Sequence, residues 1–183
     1  MKKVVKFGGS SLASAEQFKK VGDIIRADKS RRYVVPSAPG KRSSSDTKVT
    51  DMLYSCYNLA IREKKFTSLL DEIHARYNEI IDGLNLELSL DHEFDMIREN
   101  FGKKIGRDYA ASRGEYLNGI IMANYLGFCF IDAAEVIRFH EDGSLDDEKT
   151  NELLSLRLEG EEFAVIPGFY GCLLYTSPSP RDP

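Results

Sequence analysis

Residues 2–36 read KKVVKFGGSSLASAEQFKKVGDIIRADKSRRYVVP, and the stretch KFGGSS at 6–11 sits at its pivot. The short apolar run before it predicts a strand over 2–7. Ser14 then opens a helix. Gln17 follows at capping-box spacing, and Phe18, Val21, Gly22 and Ile25 fall at i, i+3, i+4 and i+7. YVVP at 33–36 reads as a second short strand. Strand, helix and strand within about forty residues make a βαβ unit, which requires a parallel pair joined by a right-handed crossover.

The rest of the chain repeats the alternation. SAPGKRSSSDTK at 37–48 is a polar loop, and a helix follows with Leu53, Cys56, Tyr57, Ala60 and Ile61 on one face. Residues 66–106 are charged and helix-period, with a stripe of Leu69, Leu70, Ile73, Tyr77, Ile80 and Ile81. LNLELSLD at 84–91 alternates as a strand would, but it reads better as the connection into HEFDMIRENF. Another helix covers about 108–126, with Leu117, Ile120, Ile121 and Asn124 in register. Strands are expected at 128–132, 136–139 and 162–168, with an amphipathic helix over 145–159. The expected fold class is α/β, an αβα sandwich around a mainly parallel sheet.

Composition narrows the function. The 183 residues carry 25 basic and 29 acidic side chains, a net charge of −4. No overall basic field invites nucleic acid, so an anionic ligand needs a local basic site. The apolar run before Lys6 is too short for a signal peptide or a membrane span. Cys56, Cys129 and Cys172 have no metal or disulfide spacing, which suits a reducing cytoplasm. His74, His92 and His140 are isolated in polar surroundings and read as surface residues.

Ligands of open α/β sheets sit at the carboxyl ends of the strands, and four polar motifs fall there. KFGGSS matches neither the P-loop nor the Rossmann fingerprint. Gly8 and Gly9 nevertheless let backbone N–H groups approach an anion, Lys6 adds a charge, and Ser10 and Ser11 add donors. A plain strand-to-helix turn explains the same residues. Ser37 and Gly40 in PSAPGKR offer further donors beside Lys41 and Arg42, or a solvated basic loop. Thr50 in KVTD opens a helix, as an N-cap or as a ligand group. Ser112 and Glu115 in SRGE have capping-box spacing, but the glycine between them suggests close approach of another element.

Six stretches together resemble the aspartate kinases of the amino acid kinase superfamily: VVKFGGSS at 4–11, VVPSAPGKR at 34–42, KVTDML at 48–53, SRGEYLNGIIMA at 112–123, FIDAAEVI at 130–137 and VIPGFYG at 165–171. The resemblance implies the three-layer αβα fold, with residues 1–171 forming the N-terminal part of an amino acid kinase domain, truncated before its nucleotide half. It implies transfer of the γ-phosphoryl of ATP, with Mg²⁺, to the β-carboxylate of L-aspartate, opening lysine, threonine and methionine biosynthesis. Lys6 is the implied catalytic lysine. Lys6, Phe7, Gly8, Gly9 and Ser10 are the implied ATP loop, Ser10 standing where the family often has Thr. Ser37, Thr50 and Glu115 are the implied aspartate contacts. The long interval between Thr50 and Glu115 resembles members with a helical insert. A cytoplasmic homo-oligomer is the implied parent, with no nucleic acid or membrane partner. Rival readings are another kinase of the same fold and a non-catalytic relative.

The final residues, CLLYTSPSPRDP at 172–183, have neither helical nor strand period, and hold three of the chain's six prolines in their last six positions. They read either as a disordered linker or as a translated sequencing adapter, foreign to the natural frame. On the second reading the chain is an N-terminal fragment, expected to be inactive and poorly folded, with an unpaired sheet edge.

Overall fold

The computed structural model describes residues 1–168, Tyr170, and the backbone of Cys172 and Leu173. The first strand, β1 (Lys3–Phe7), is followed by a 3-10 turn over Gly9–Leu12 and by helix α1 (Ala15–Arg26). Ser14 caps α1, its hydroxyl accepting from the Gln17 amide at 3.4 Å. Phe18, Val21, Gly22 and Ile25 are all buried, as their spacing predicts. Strand β2 (Arg31–Pro36) then runs parallel to β1, with Lys6 opposite Val35 and Phe7 opposite Pro36.

Four helices follow, and these are α2 (Val49–Ile61), α3 (Thr67–Gly83), α4 (Asp91–Gly102) and α5 (Arg107–Leu126). The expected stripe of α3 is buried except for Leu69, which packs at the margin of the core. Residues 84–91 connect α3 to α4, so the alternation there reflects no strand. In α2, Leu53, Cys56, Tyr57 and Ala60 are buried, but Ile61 is 42% exposed at the last residue of the helix. Asn124 of α5 is likewise exposed rather than in the buried stripe. His74 departs from expectation as well: its ring stacks on Phe94 at 4.1 Å and is mostly covered.

The C-terminal part adds β3 (Cys129–Phe130), α6 (Ala133–Val136), β4 (Arg138–Phe139), α7 (Asp147–Arg157), β5 (Ala164–Val165) and β6 (Cys172–Leu173). The main sheet has the order β1-β2-β5-β3, and every pairing is parallel. The strand expected at 136–139 is displaced. Asp132 accepts from the Ala134 amide at 3.0 Å and starts α6, which takes Val136. Of the expected strand only Arg138 and Phe139 pair, with Cys172 and Leu173 in a separate two-stranded sheet. Thus the first two residues of the terminal stretch are paired, while the Gly171 boundary and residues 174–183 lie outside the described residues.

Helices cover both faces of the main sheet. Val5, Phe7, Val34, Val165 and Phe130 point into a large core shared with the α1 to α5 helices. On the opposite face, Ala164 and Ile131 meet Val136 of α6 and Leu153 and Leu154 of α7. That second cover does not reach β1, where Val4 is 67% exposed.

Candidate active site

The site begins with the register of two strands. Because β1 and β2 are parallel neighbours ending together, their following loops leave side by side. The Ser37 amide donates to Phe7 O at 3.0 Å, and the Gly40 amide donates to Gly9 O at 2.8 Å. Here the glycines are needed for close approach. A Cβ on Gly9 would lie 2.7 Å from Ala38 O, and one on Gly40 would lie 2.5 Å from the Gly9 carbonyl carbon. Both are below contact distance to backbone, which cannot rotate away. The KFGGSS stretch is therefore one half of a two-loop platform. Lys6 reaches across it, donating from Nζ to Ser37 Oγ at 3.3 Å.

Two helices supply the walls. The Val49 amide donates to Pro39 O at 3.2 Å, which ties the start of α2 to the platform. Lys48, not Thr50, occupies the N-cap position; Thr50 is the second residue of the helix. On α5, Ser112 and Glu115 lie inside the helix, so their spacing is no capping box. The Ser112 hydroxyl instead donates back to Tyr109 O at 2.8 Å. Gly114 permits the close approach that its position suggests, since a Cβ there would sit 2.8 Å from Ala38 Cβ. Asn118, one turn beyond Glu115 on the same face, is fully buried and donates from Nδ2 to Ser37 O at 2.6 Å.

These elements enclose a cleft of about 480 Å³. Of the residues singled out in the sequence, Gly9, Ser10, Ser37, Thr50 and Glu115 line it, and Lys6 adjoins it through Ser37. Phe7 packs into the core and Gly8 forms the turn before Gly9, so neither lines the cleft. Lys41 and Lys48 do line it. Cations and hydroxyls on one side and a carboxylate on the other suit a ligand set with several anionic oxygens and one ammonium. The two glycines let the loops after β1 and β2 pack main chain to main chain beside the Lys6 ammonium. Among the described residues no group of three or more His, Cys, Asp or Glu side chains is placed to hold a metal ion.

Other contributors escaped the sequence reading. Lys48 looked like loop polarity, and Asn118 had no motif of its own, although its i+3 relation to Glu115 put it on the site face. Arg76 sits in the charged run DEIHARYNE, where no residue pattern singles it out, yet it is only 3% exposed. Its guanidinium donates from Nη1 to Thr47 O at 2.6 Å and from Nη2 to Gly40 O, and meets Asp46 at 3.1 Å. Burial lowers the Arg76 pKa from its usual value, and Asp46 opposes that. Asp46 is itself held well below the carboxylate range, first by its hydrogen bond from the Arg42 side chain. Arg42 thus pairs with Asp46 at 3.0 Å and Glu79 at 2.7 Å rather than standing free in a basic loop.

The model of the amino acid kinase family matches residues 1–175. The chain belongs to the amino acid kinase family. It is 34% identical over 187 aligned residues to aspartokinase 3 of Bacillus subtilis (strain 168), covering 92% of this chain and 40% of that protein. Among solved structures, the aspartate kinase of Clostridium acetobutylicum superposes with a TM-score of 0.91 at 46% identity, over 95% of this chain and 40% of the other. Escherichia coli aspartokinase III, solved with aspartate and ADP, gives a TM-score of 0.72 at 21% identity, over 95% of this chain and 42% of that one, and so shares the fold. The chain therefore spans about 40% of the length of these relatives. Among the described residues, no helix of this amino acid kinase family chain is long and apolar enough to cross a membrane.

Proposed function

We propose that the chain is the N-terminal part of the catalytic domain of an aspartate kinase. The enzyme would move the γ-phosphoryl group of MgATP to the β-carboxylate of L-aspartate and form 4-phospho-L-aspartate. The observation that carries this reading is the single cleft joining the Gly9–Gly40 platform and Ser37 to Thr50 and Glu115. Its relatives, named aspartokinases, support it.

The chemistry suits the residues. A carboxylate nucleophile is ionised at neutral pH, since its reference pKa is about 3.9, so no histidine base is required. One β-carboxylate oxygen bonds to the γ-phosphorus as the bond to the bridging oxygen breaks, and ADP leaves with the electron pair. Lys6 and the platform N–H groups would neutralise charge spreading over the phosphoryl oxygens. Mg²⁺ bound to the phosphates would share that work. Glu115 would hold the aspartate ammonium, with the Ser37 and Thr50 hydroxyls completing its binding. The family match through residue 175 and the pairing of Cys172 and Leu173 with β4 speak against a foreign segment that begins directly after Gly171, and we assign turnover to the enzyme encoded by the uninterrupted gene, in the reducing cytoplasm.

The test uses the enzyme encoded by the uninterrupted gene, with acyl phosphate trapped as the hydroxamate. Lys6→Ala should lower turnover about a hundredfold or more, as loss of a charge stabiliser does, and change aspartate affinity far less. Unchanged turnover would refute the role of Lys6. Preference for glutamate, acetylglutamate or carbamate over aspartate would refute the substrate. Acyl phosphate formation by the 183-residue chain alone would overturn the assignment to a longer enzyme.

A further inference from the structure

Two consecutive residues of α3 bond, from behind, to the two elements that carry opposite walls of the cleft. Successive side chains of a helix diverge by about 100°. Arg76 therefore points to the loop after β2 while Tyr77 points to α5, where its hydroxyl donates to Gly114 O at 2.7 Å. Both side chains are buried. Neither lines the cleft that holds Ser37 and Glu115.

The Arg76 contacts have a particular geometry. Its planar fork joins Gly40 O and Thr47 O, the two ends of the loop between the platform and α2. Gly40 has no side chain to hold it, so hydrogen bonds must set its orientation. Its C=O is held by Arg76 and its N–H by Gly9 O. The guanidinium is thus linked through one residue to Gly9, and both glycines line the cleft. Tyr77 does the equivalent for the residue preceding Glu115, where Gly114 packs on Ala38.

We propose that Arg76 and Tyr77 are positioning residues: Arg76 sets the Gly9–Gly40 platform against the phosphoryl group, and Tyr77 sets Glu115 against the amino acid. The division of labour rests on the aspartate kinase reading; the clamp itself does not. Removing the fork leaves the buried Gly40 carbonyl and the partly covered Thr47 carbonyl without their donor, and the local penalty falls on the loop. A lysine at 76 keeps the charge near Asp46 but can serve only one carbonyl at a time.

Two measurements test this. In amide hydrogen exchange on the 183-residue chain, Arg76→Lys should speed exchange at Gly40 about tenfold or more while Phe94 in α4 and Ile131 in β3's flank stay within about twofold. Arg76→Met should extend the effect to Val49 and Ser11. A wild-type rate at Gly40, or equal acceleration at Gly40, Phe94 and Ile131, would overturn the clamp. In the uninterrupted enzyme, Arg76→Lys should lower kcat about tenfold with little change in aspartate KM, and Tyr77→Phe should raise aspartate KM several-fold, roughly, with kcat near wild type. Equal effects of both variants on both constants would overturn the division. Absence of aspartate phosphorylation by the wild-type enzyme would refute the functional reading and leave the exchange rates to decide the clamp.

Discussion

Helices α1 and α7 are nearly equal in length, at 12 and 11 residues, and they cover opposite faces of one sheet with unequal depth. Helix α1 buries Phe18, Val21, Gly22 and Ile25 in a core continuous with α2, α3 and α5. Helix α7 buries only Thr150; Leu153 and Leu154 are half-covered, and Leu156 is 61% exposed. The cleft is built on the α1 face, by loops and helices locked into the larger core. The other face rests on a thin apolar cluster, so the two faces should respond differently to the same loss of side chain.

Phe18→Ala should be the most damaging change, lowering stability by about 3–5 kcal/mol, because it empties a fully buried site in the larger core. Leu154→Ala on the second face should cost roughly 1 kcal/mol, since that side chain is only partly buried. Chemical denaturation of the two variants measures the difference, and equal losses would break the contrast between faces.

Acid should sharpen it further. Asp46, on the cleft side, has a folded-state pKa below its unfolded value, first through Arg42. Its contribution is therefore complete above the unfolded carboxylate pKa of about 3.9 and is lost as pH falls below that value. Asp46→Asn should flatten the acid limb of a stability-versus-pH curve and leave the neutral region lower. An unchanged acid limb would remove Asp46 from the account. The smallest effect concerns thiols. Burial pushes the Cys56 thiol up to about 12, so native Cys56 should resist an alkylating reagent that reaches the half-exposed Cys129. Mass spectrometry after brief labelling reads the order of modification.

The same contrast explains what could be read from residues alone. Where a helix meets the core along one stripe, as α1 and α3 do, the 3.6-residue period is visible, and its buried positions follow. Helix α5 hides its period because it is enclosed on several sides, by α2, the sheet and the platform, so small residues such as Ala110, Ala111, Gly114 and Gly119 are buried all round it. Strand ends were legible because Lys6, Gly9 and Ser37 lie at the limits of short apolar runs. Arg76 was not, because a buried arginine that serves two carbonyls has the same neighbours in sequence as a solvated one. The displaced strand at 136–139 failed for a local reason: Asp132 caps a helical turn that an apolar pattern of four residues cannot reveal.

The mutual fit of Gly9 and Gly40 also limits how the protein can change. Most packed pairs can drift together, one side chain growing as its neighbour shrinks. Here each position already carries the smallest residue, and the obstacle at each is main chain, Ala38 O and Gly40 for Gly9 and the Gly9–Ser10 peptide for Gly40. No partner substitution can make room for a Cβ at either one. Mutational libraries aimed at this site should therefore hold both glycines constant and place their diversity at Ser10, Ser37 and Lys41, where side chains rather than main chain set the boundary.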